Sequence, residues 1–179
     1  MAPPRLWLPR PTCRACATAS ALALPPSAQA GGGPVNLYRA LGAQPQILAA
    51  WREFASALRE RCQLPRALRE LMIVRLAVAS GSEYELVHHT AMALAAGVTE
   101  AQLEALPVWR SSELFSELER AALAYGEAVF DGDVPDAVAA EAGRHFSEAE
   151  LVELTVTAGF YSMVPRVLEA LRVPLEEGL

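Results

Sequence analysis

The chain has 179 residues, enough for one domain with a substantial core, and 53% of them are hydrophobic, which is typical of a globular protein. All fifteen basic residues are arginines, so chemistry that needs a lysine nucleophile or Schiff base is excluded. Residues 1–52 carry five arginines and no acidic residue, a charge of +5, and residues 53–179 carry ten arginines and 21 acidic residues, a charge of −11. The net charge is therefore −6, and the larger part of the chain is acidic, which does not favour nucleic-acid binding.

The first 33 residues differ from the rest because they hold six prolines and no acidic residue. We interpret residues 1–33 as a disordered or dispensable extension; the alternative is a targeting segment in which Ala28-Gln-Ala30 provides a small-x-small cleavage site. Cys13 and Cys16 form a C-x-x-C there, without a second pair of ligands for zinc. No apolar run reaches the roughly 18 residues of a membrane span. We expect no membrane contact and, unless the segment targets the chain elsewhere, a cytoplasmic location.

Hydrophobic residues recur at three- and four-residue steps from Pro34 onward, which is the pattern of amphipathic helices. Thr99 and Ser147 each begin a capping-box sequence, and Pro165 is expected to kink or split the last helix. Alternating β-branched runs and hairpin turns are missing. We predict an all-α multi-helix bundle that forms one domain over residues 34–179, with helices at 34–41, 45–62, 67–80, 82–96, 99–106, 112–130, 135–146 and 151–171.

The stretch 81–90 holds two of the three histidines together with two carboxylates. Glu85 and His89 are four residues apart and lie side by side on a helical face, and Ser82 stands one turn before Glu85. A carboxylate orients an imidazole ring and raises its basicity, which suits proton transfer. The same face continues as an apolar stripe toward the core. We therefore predict a functional site here; the alternative is a surface ion pair that contributes about 0.2–0.5 kcal/mol.

Three further residues bear on this prediction. His88 pairs by spacing with Glu85 and is a second candidate, although an exposed position is the favoured interpretation. Glu70 is a carboxylate within an otherwise apolar helix, and Cys62 is expected to be a packing residue. The chain shows no H-E-x-x-H, only one unpaired Glu-x-x-His, and no glycine-rich phosphate loop. We therefore predict neither a metal nor a cofactor.

Several spacings hold together along the chain, in the segments 64–70, 77–81, 82–89, 95–100 and 147–164. Together they resemble the carboxymuconolactone decarboxylase and alkylhydroperoxidase D-like (AhpD-like) superfamily, over about residues 34–175. In the peroxidase branch of that superfamily the pattern is a Glu, eleven residues, and then C-x-x-C-x-x-x-H. On this chain the Glu falls on Glu70 and the final His on His89. The two cysteine positions fall on Ser82 and Glu85, so the chain resembles a cysteine-less, longer member.

The resemblance implies that Glu70 approaches the face that carries His89. The two missing cysteines argue against the dithiol peroxidase cycle of that branch, because such a cycle needs an attacking and a resolving thiol. We expect a decarboxylase-like enzyme that acts on a small carboxylated or lactone-like molecule through a proton relay of Glu70, Ser82, Glu85, His88 and His89. Three arginines are candidates for holding the anion: Arg69, Arg75 and Arg166. The alternatives are a thiol peroxidase and a non-catalytic ligand-binding oligomer. A homo-oligomer is expected from the resemblance and from the surplus of apolar helix surface.

Overall fold

A computed structural model describes residues 35–176 of the chain. The expectations for residues 1–33, including Cys13 and Cys16, concern residues outside this range. Between residues 35 and 176 the structure has helices and no strand, which confirms the predicted all-α class. No helix in this range is both long enough and apolar enough to cross a bilayer. The helices are α1 (Asn36–Leu41), α2 (Pro45–Glu60), α3 (Arg66–Ser80), α4 (Glu83–Ala95), α5 (Glu100–Ala105), α6 (Glu117–Asp131), α7 (Asp136–His145) and α8 (Glu148–Leu171), with a 3₁₀ turn at Leu106–Val108.

The helix starts follow their caps more closely than their hydrophobic periodicity. Helix α6 begins at Glu117, later than the predicted start at residue 112, because Ser116 is its N-cap. The Ser116 hydroxyl accepts a hydrogen bond from the Glu119 amide at 3.3 Å, and the Glu119 carboxylate accepts one from the Ser116 amide at 2.8 Å. This is a complete capping box, which satisfies two of the orphan amides at a helix start.

Helix α8 runs without interruption through Pro165, so of the two predicted effects, a kink or a split, the split is wrong. Proline removes one backbone donor and crowds the preceding turn. Buried residues on both sides of Pro165 anchor the helix to the core, namely Phe160, Tyr161, Val164 and Leu168. Their burial, at about 1.5–3 kcal/mol for each large side chain, offsets the cost of the proline.

Helix α3 is the central element and packs against α4, α6 and α8. Every residue from 68 to 74 is buried, so neighbouring elements cover this part of the helix on all sides. One side contributes Met72 and Leu76 to a core cluster shared with α1, α2, α7 and α8. Another side contributes Leu71 and Val74 to a second cluster with α4, α5 and the 3₁₀ turn. Glu70, which is 2% exposed, lies on this buried part of α3.

The turn from α3 to α4 sets how these two helices face each other. Gly81 ends α3 with φ 67°, in the left-handed region that favours glycine, and Ser82 is the N-cap of α4. The two helices form a hairpin. At 1.5 Å per residue, Glu70 lies about 16 Å before the turn and His89 about 10 Å after it. The two residues differ in height by about one helical turn, a gap that their side chains can bridge.

Candidate active site

His89 of α4 lies between two carboxylates. Its Nδ1 is 2.7 Å from Oε2 of Glu70 on α3, and its Nε2 is 3.6 Å from Oε2 of Glu85 one turn earlier on α4. The side chains of His89, Glu70 and Glu85 are only 6%, 2% and 6% exposed. The structure thus brings together three of the predicted site residues as a buried carboxylate–imidazole–carboxylate row.

The contact with Glu70 determines which ring nitrogen of His89 is available for chemistry. A carboxylate at hydrogen-bond distance accepts from Nδ1–H, and this leaves the Nε2 lone pair directed toward Glu85. Glu70 is itself held by Arg66, whose Nε lies 3.5 Å from the other carboxylate oxygen. Glu70 therefore orients His89 in the way that a buried carboxylate orients a catalytic histidine.

Glu85 has the properties of a proton carrier. Burial raises the pKa of its carboxyl, an effect that His89 and His88 oppose and that the nearby Glu70 carboxylate reinforces. Its Oε2 is buried and has no hydrogen-bond partner among the described residues. The 3.6 Å to His89 Nε2 exceeds a good hydrogen bond, so neither group is committed to the other and a proton can lie on either one.

Ser82 has a structural position in this arrangement. Its hydroxyl accepts a hydrogen bond from the Glu85 amide at 3.4 Å and so caps the first turn of α4. Such a cap contributes about 1 kcal/mol and fixes where the helix begins. Ser82 therefore sets the orientation of Glu85 and His89 and does not join their carboxylate–imidazole row.

His88 faces a different set of partners. Its Nδ1 lies 2.8 Å from the Tyr84 carbonyl, its Nε2 lies 3.0 Å from Oε2 of Glu176, and its ring stacks on Tyr84 at 4.3 Å. The side chain is only 16% exposed, so the predicted exposed position was wrong. The reason is the chain after α8, which returns to α4 and covers the ring, a contact that no local spacing reveals.

Two residues near the relay were missed by sequence reasoning. The Tyr161 ring of α8 meets the His89 ring edge-on at 4.8 Å. Burial raises the pKa of the Tyr161 phenol, and the Glu85 and Glu70 charges raise it further, so its hydroxyl stays protonated. Arg59 of α2 is half-buried, and its positive charge interacts electrostatically with the Tyr38 and Tyr161 side chains. The contacts join distant helices, and only the Gly159-Phe160-Tyr161 part of the family resemblance drew attention to this region.

The three arginines expected to hold an anion have other roles. Arg69 is 5% exposed and donates to backbone carbonyls at the end of α2 and in the loop that follows. Arg75 is paired with the buried Glu127. Arg166 lies over the Phe130 ring at 5.7 Å and donates to a carbonyl of its own helix. Each of the three is a structural residue, and this expectation is corrected.

Cys62 lacks the properties of a redox-active thiol. Its Sγ lies 3.8 Å from the Ala57 carbonyl, and burial raises the pKa of the thiol, an effect that Glu153 reinforces and Arg69 opposes. A reactive cysteine needs the opposite shift, toward thiolate. Among the residues that the structure describes, no group of three or more histidines, cysteines and carboxylates is arranged to hold a metal ion.

The chain was compared with known proteins. The family model described as "Carboxymuconolactone decarboxylase family" matches residues 45–128. The uncharacterized protein YnjA of Escherichia coli K12 is 34% identical over 121 residues, which is 66% of this chain and 66% of YnjA, so about a third of YnjA lies outside the match.

Solved structures share the fold at low sequence identity. A protein of unknown function from Agrobacterium tumefaciens, described as a candidate AhpD antioxidant-defence protein, superposes with a TM-score of 0.70 at 24% identity, over 76% of this chain and 94% of that one. The debrominase Bmp8, as an alanine variant with bound 2,3,4-tribromopyrrole, superposes with a TM-score of 0.74 at 21% identity, over 82% of this chain and 79% of the Bmp8 chain. A peroxidase-related protein from Silicibacter superposes with a TM-score of 0.70 at 20% identity, over 79% of this chain and 76% of that one. Residues 45–128 match the model of the carboxymuconolactone decarboxylase family, and the chain has the helical fold of the AhpD-like superfamily.

Proposed function

We propose that the protein is a decarboxylase-like enzyme that uses His89, Glu85 and Glu70 as a proton relay on a small carboxylated or lactone-like molecule. The observation that supports this is the buried His89 ring between two carboxylates, with Nδ1 held at 2.7 Å and Nε2 facing Glu85 at 3.6 Å. Burying ionisable groups is costly unless they are paired, and perturbed carboxyls cluster at functional sites.

The proposed reaction needs one proton donor at a carbon atom. When the bond to the departing carboxylate breaks, carbon dioxide leaves and the electron pair moves into the conjugated system, giving a dienolate. His89, protonated through Glu85, then gives its Nε2 proton to a carbon of the dienolate. Solvent returns a proton to Glu85, so atoms and charge balance. The Glu70 carboxylate accepts the hydrogen bond from Nδ1–H and stabilises the imidazolium.

The residues at the two motif cysteine positions support this chemistry over the dithiol alternative. Ser82 is engaged as a helix cap, and Glu85 carries a raised pKa that suits proton transfer. The remaining thiol in the described range, Cys62, has its pKa raised by burial. A disulfide-forming peroxidase cycle would need two cysteines that this site does not offer.

A homo-oligomer is part of the proposal. Several large apolar side chains are exposed on the single chain, among them Ile47 at 54% and Phe54 at 45% on α2. They lie seven residues apart and therefore on one helical face. Light scattering on the purified protein tests this: a species larger than one chain is expected, and Phe54→Glu should reduce it. A wild-type protein that is monomeric at all concentrations would remove this part of the proposal.

The experiment for the activity is turnover of carboxymuconolactone, followed by release of carbon dioxide, for the wild type and for His89→Gln. Loss of a general acid–base residue lowers turnover by about 10²–10⁴-fold. The matched control is His145→Gln, because His145 also pairs with a carboxylate, Glu141 at 3.2 Å, but lies on α7 away from the relay. Turnover that survives in His89→Gln at the wild-type rate rules out the proposed relay.

A further inference from the structure

The proposed reaction places a negative charge on an oxygen atom that the relay does not serve. When carbon dioxide leaves an unsaturated lactone acid, the electron pair moves along the double bonds to the lactone carbonyl oxygen, which becomes an enolate oxygen. His89 gives its proton to a carbon atom, and Glu70 and Glu85 are acceptors that would repel the new charge. A positioned hydrogen-bond donor at such an oxygen is among the largest single contributions to catalysis. That donor has to come from another side chain.

Tyr161 lies where such a donor is needed. Its ring centre is 4.8 Å from that of His89, and the two ring planes meet at 85°. The tyrosine is 5% exposed and belongs to α8, so it approaches the imidazole from a different helix than Glu70 on α3 and Glu85 on α4. A phenol hydroxyl extends the long axis of its ring. A small cyclic molecule bound against His89 is therefore within reach of this hydroxyl.

The Tyr161 ring is held in place from the side away from His89. Phe160, its neighbour in the chain, contacts the Tyr161 ring at 5.3 Å. Phe160 in turn packs against two aromatic rings of α2, Trp51 at 5.1 Å and Phe54 at 5.3 Å. These contacts fix the position of α8 and with it the direction of Tyr161. A group that is fixed before the substrate binds needs no reorganisation during the reaction, which is what an effective donor requires.

The Tyr161 hydroxyl is available for a bound molecule. Its described contacts are made by the ring, and no hydrogen bond links its hydroxyl to a described residue. Burial, the Glu85 charge and the Glu70 charge raise the pKa of the phenol, so the hydroxyl keeps its proton and can donate it to a hydrogen bond.

Two further polar atoms of this region also have no partner among the described residues. They are Oε2 of Glu85 and the hydroxyl of Thr157, a side chain that is 1% exposed and lies one turn before Tyr161 on the same face of α8. Buried polar groups are normally hydrogen-bonded, and each exception needs an explanation. Unpaired groups on both α4 and α8, on either side of His89, indicate the place of a polar ligand.

We propose that Tyr161 is a catalytic residue whose hydroxyl donates a hydrogen bond to the lactone carbonyl oxygen of the substrate, the atom that becomes the enolate oxygen. This inference deepens the proposed function and rests on it. The phenol proton stays on Tyr161 throughout, and His89 supplies the proton that reaches carbon, so the balance of the reaction is unchanged. The role also names a substrate class: a lactone whose carbonyl is conjugated with the carbon that loses the carboxylate, because only then does the carbonyl oxygen receive the charge.

The test is calorimetric binding of two small lactones to the wild type and to Tyr161→Phe, which keeps the ring and removes the hydroxyl. Tetronate carries an enolate oxygen at neutral pH, and 2(5H)-furanone has only the uncharged lactone carbonyl. A hydrogen bond to a charged oxygen is the stronger one, so Tyr161→Phe should bind tetronate at least about tenfold more weakly and the furanone about fivefold more weakly or less. Tyr125→Phe is the matched control, because its hydroxyl lies 2.8 Å from that of Thr155 and away from the relay. It should bind both lactones as the wild type does.

Turnover gives a second readout. In Tyr161→Phe, kcat for carboxymuconolactone should fall by about a hundredfold or more with little change in KM, because the hydrogen bond strengthens only as the charge develops. The proposed function and this inference fail in different ways. Full activity in His89→Gln removes the relay, whereas a selective loss of tetronate binding in Tyr161→Phe sustains the hydroxyl as an enolate-oxygen donor even if the wild type decarboxylates nothing.

The inference is overturned if the wild type does not bind tetronate, if Tyr161→Phe binds it as tightly as the wild type, or if this variant loses both lactones equally, which indicates a packing role. Should Tyr161→Phe not fold, the wild type labelled at the Cζ carbons of its four tyrosines answers the question by NMR. Tetronate should shift the one resonance that Phe variants of Tyr38, Tyr84 and Tyr125 leave in place. A spectrum in which that resonance does not move overturns the inference.

Discussion

Glu70 and His89 are nineteen positions apart in the chain, yet Glu70 Oε2 lies 2.7 Å from His89 Nδ1. The contact joins the central helix α3 to α4 and is almost wholly shielded from solvent. In such surroundings a charge-assisted hydrogen bond is stronger than in water, and an unpaired partner is costly. The pair therefore fixes both the ring orientation of His89 and the packing of the two helices.

Replacing Glu70 by Gln should separate these two effects. The amide keeps the shape of the side chain, but it can offer an N–H to Nδ1 and so favour the wrong tautomer of His89. Turnover should fall by about ten- to a hundredfold or more. Nitrogen NMR of the imidazole should show Nδ1 without its proton. The control is Glu83→Gln, an exposed carboxylate on α4, which should change neither signal nor rate. An unchanged tautomer with an unchanged rate in Glu70→Gln would contradict the orienting role.

Glu85 should make the protein less stable at high pH. Its pKa is raised in the folded state, chiefly by burial, so the folded protein holds this proton more tightly than the unfolded chain does. Stability is therefore highest below the ordinary glutamate pKa and falls as the pH rises through the raised value. Glu85→Gln removes the ionisable group. It should raise the free energy of unfolding by about 1 kcal/mol at pH 8 and lower the activity. Urea unfolding at pH 5 and pH 8 measures this; a loss of stability at pH 8 would show that the ionised carboxylate is well solvated.

Glu127 should have the opposite pH dependence. Burial raises the pKa of this carboxyl, but hydrogen bonds from Trp109, Arg110 and Arg75 outweigh that effect and lower it. The ionised Glu127 carboxylate therefore stabilises the folded state at pH values above the ordinary glutamate pKa, and this stabilisation is lost as the pH falls through the lowered pKa. Glu127→Gln should lower the free energy of unfolding by about 2 kcal/mol at pH 7 and by less at acid pH.

The comparison for Glu127 is Glu141→Gln, which breaks a surface pair with Arg144 at 2.9 Å. That pair should contribute less than about 1 kcal/mol. Thermal unfolding of both variants distinguishes a buried network from a surface contact. Equal losses in the two variants would mean that the Glu127 network is not a major source of stability.

Glu176 should hold the segment that follows α8 in place. Its Oε1 accepts from the Asn36 amide at 2.5 Å and from the Tyr84 hydroxyl at 2.7 Å. Burial raises the pKa of the Glu176 carboxyl, but these hydrogen bonds and the His88 charge lower it overall. The contacts of Glu176 with Asn36 and Tyr84 should therefore weaken as the pH falls through that lowered pKa. Glu176→Gln should speed amide hydrogen exchange in α1 and at the start of α4 by several-fold. Glu169→Gln, exposed on α8, is the control. Unchanged exchange in Glu176→Gln would show that other contacts hold this segment.

The sequence predicted the local parts of this site and not the long-range ones. Helix periodicity placed Glu85 beside His89, because a spacing of four is a property of any helix. Glu70 was assigned to the site only through the family pattern, since nothing in its own helix says which neighbour it meets. Tyr161 and Arg59 were missed because their contacts depend on how α2 and α8 pack, which hydrophobic spacing does not encode.

The covering of His88 was missed for a related reason. Glu176 meets it from 88 positions away, after the last helix has ended. Helix boundaries also departed from prediction where caps and periodicity disagreed, as at Ser116. The continuous helix α8 also departed from prediction. Tertiary packing on both sides of Pro165 outweighed the local tendency of proline to end a helix.

The length of the Gly81-Ser82 turn also determines which α4 residue faces Glu70 in the candidate site. Each residue of a helix advances the chain by about 100° and 1.5 Å. One extra residue in this turn would rotate α4 so that His88, rather than His89, faces Glu70, while the apolar residues of both helices could still find a buried packing. Such an insertion should give a folded protein with its acid–base groups disconnected. The length of this short turn therefore constrains activity far more than it constrains folding.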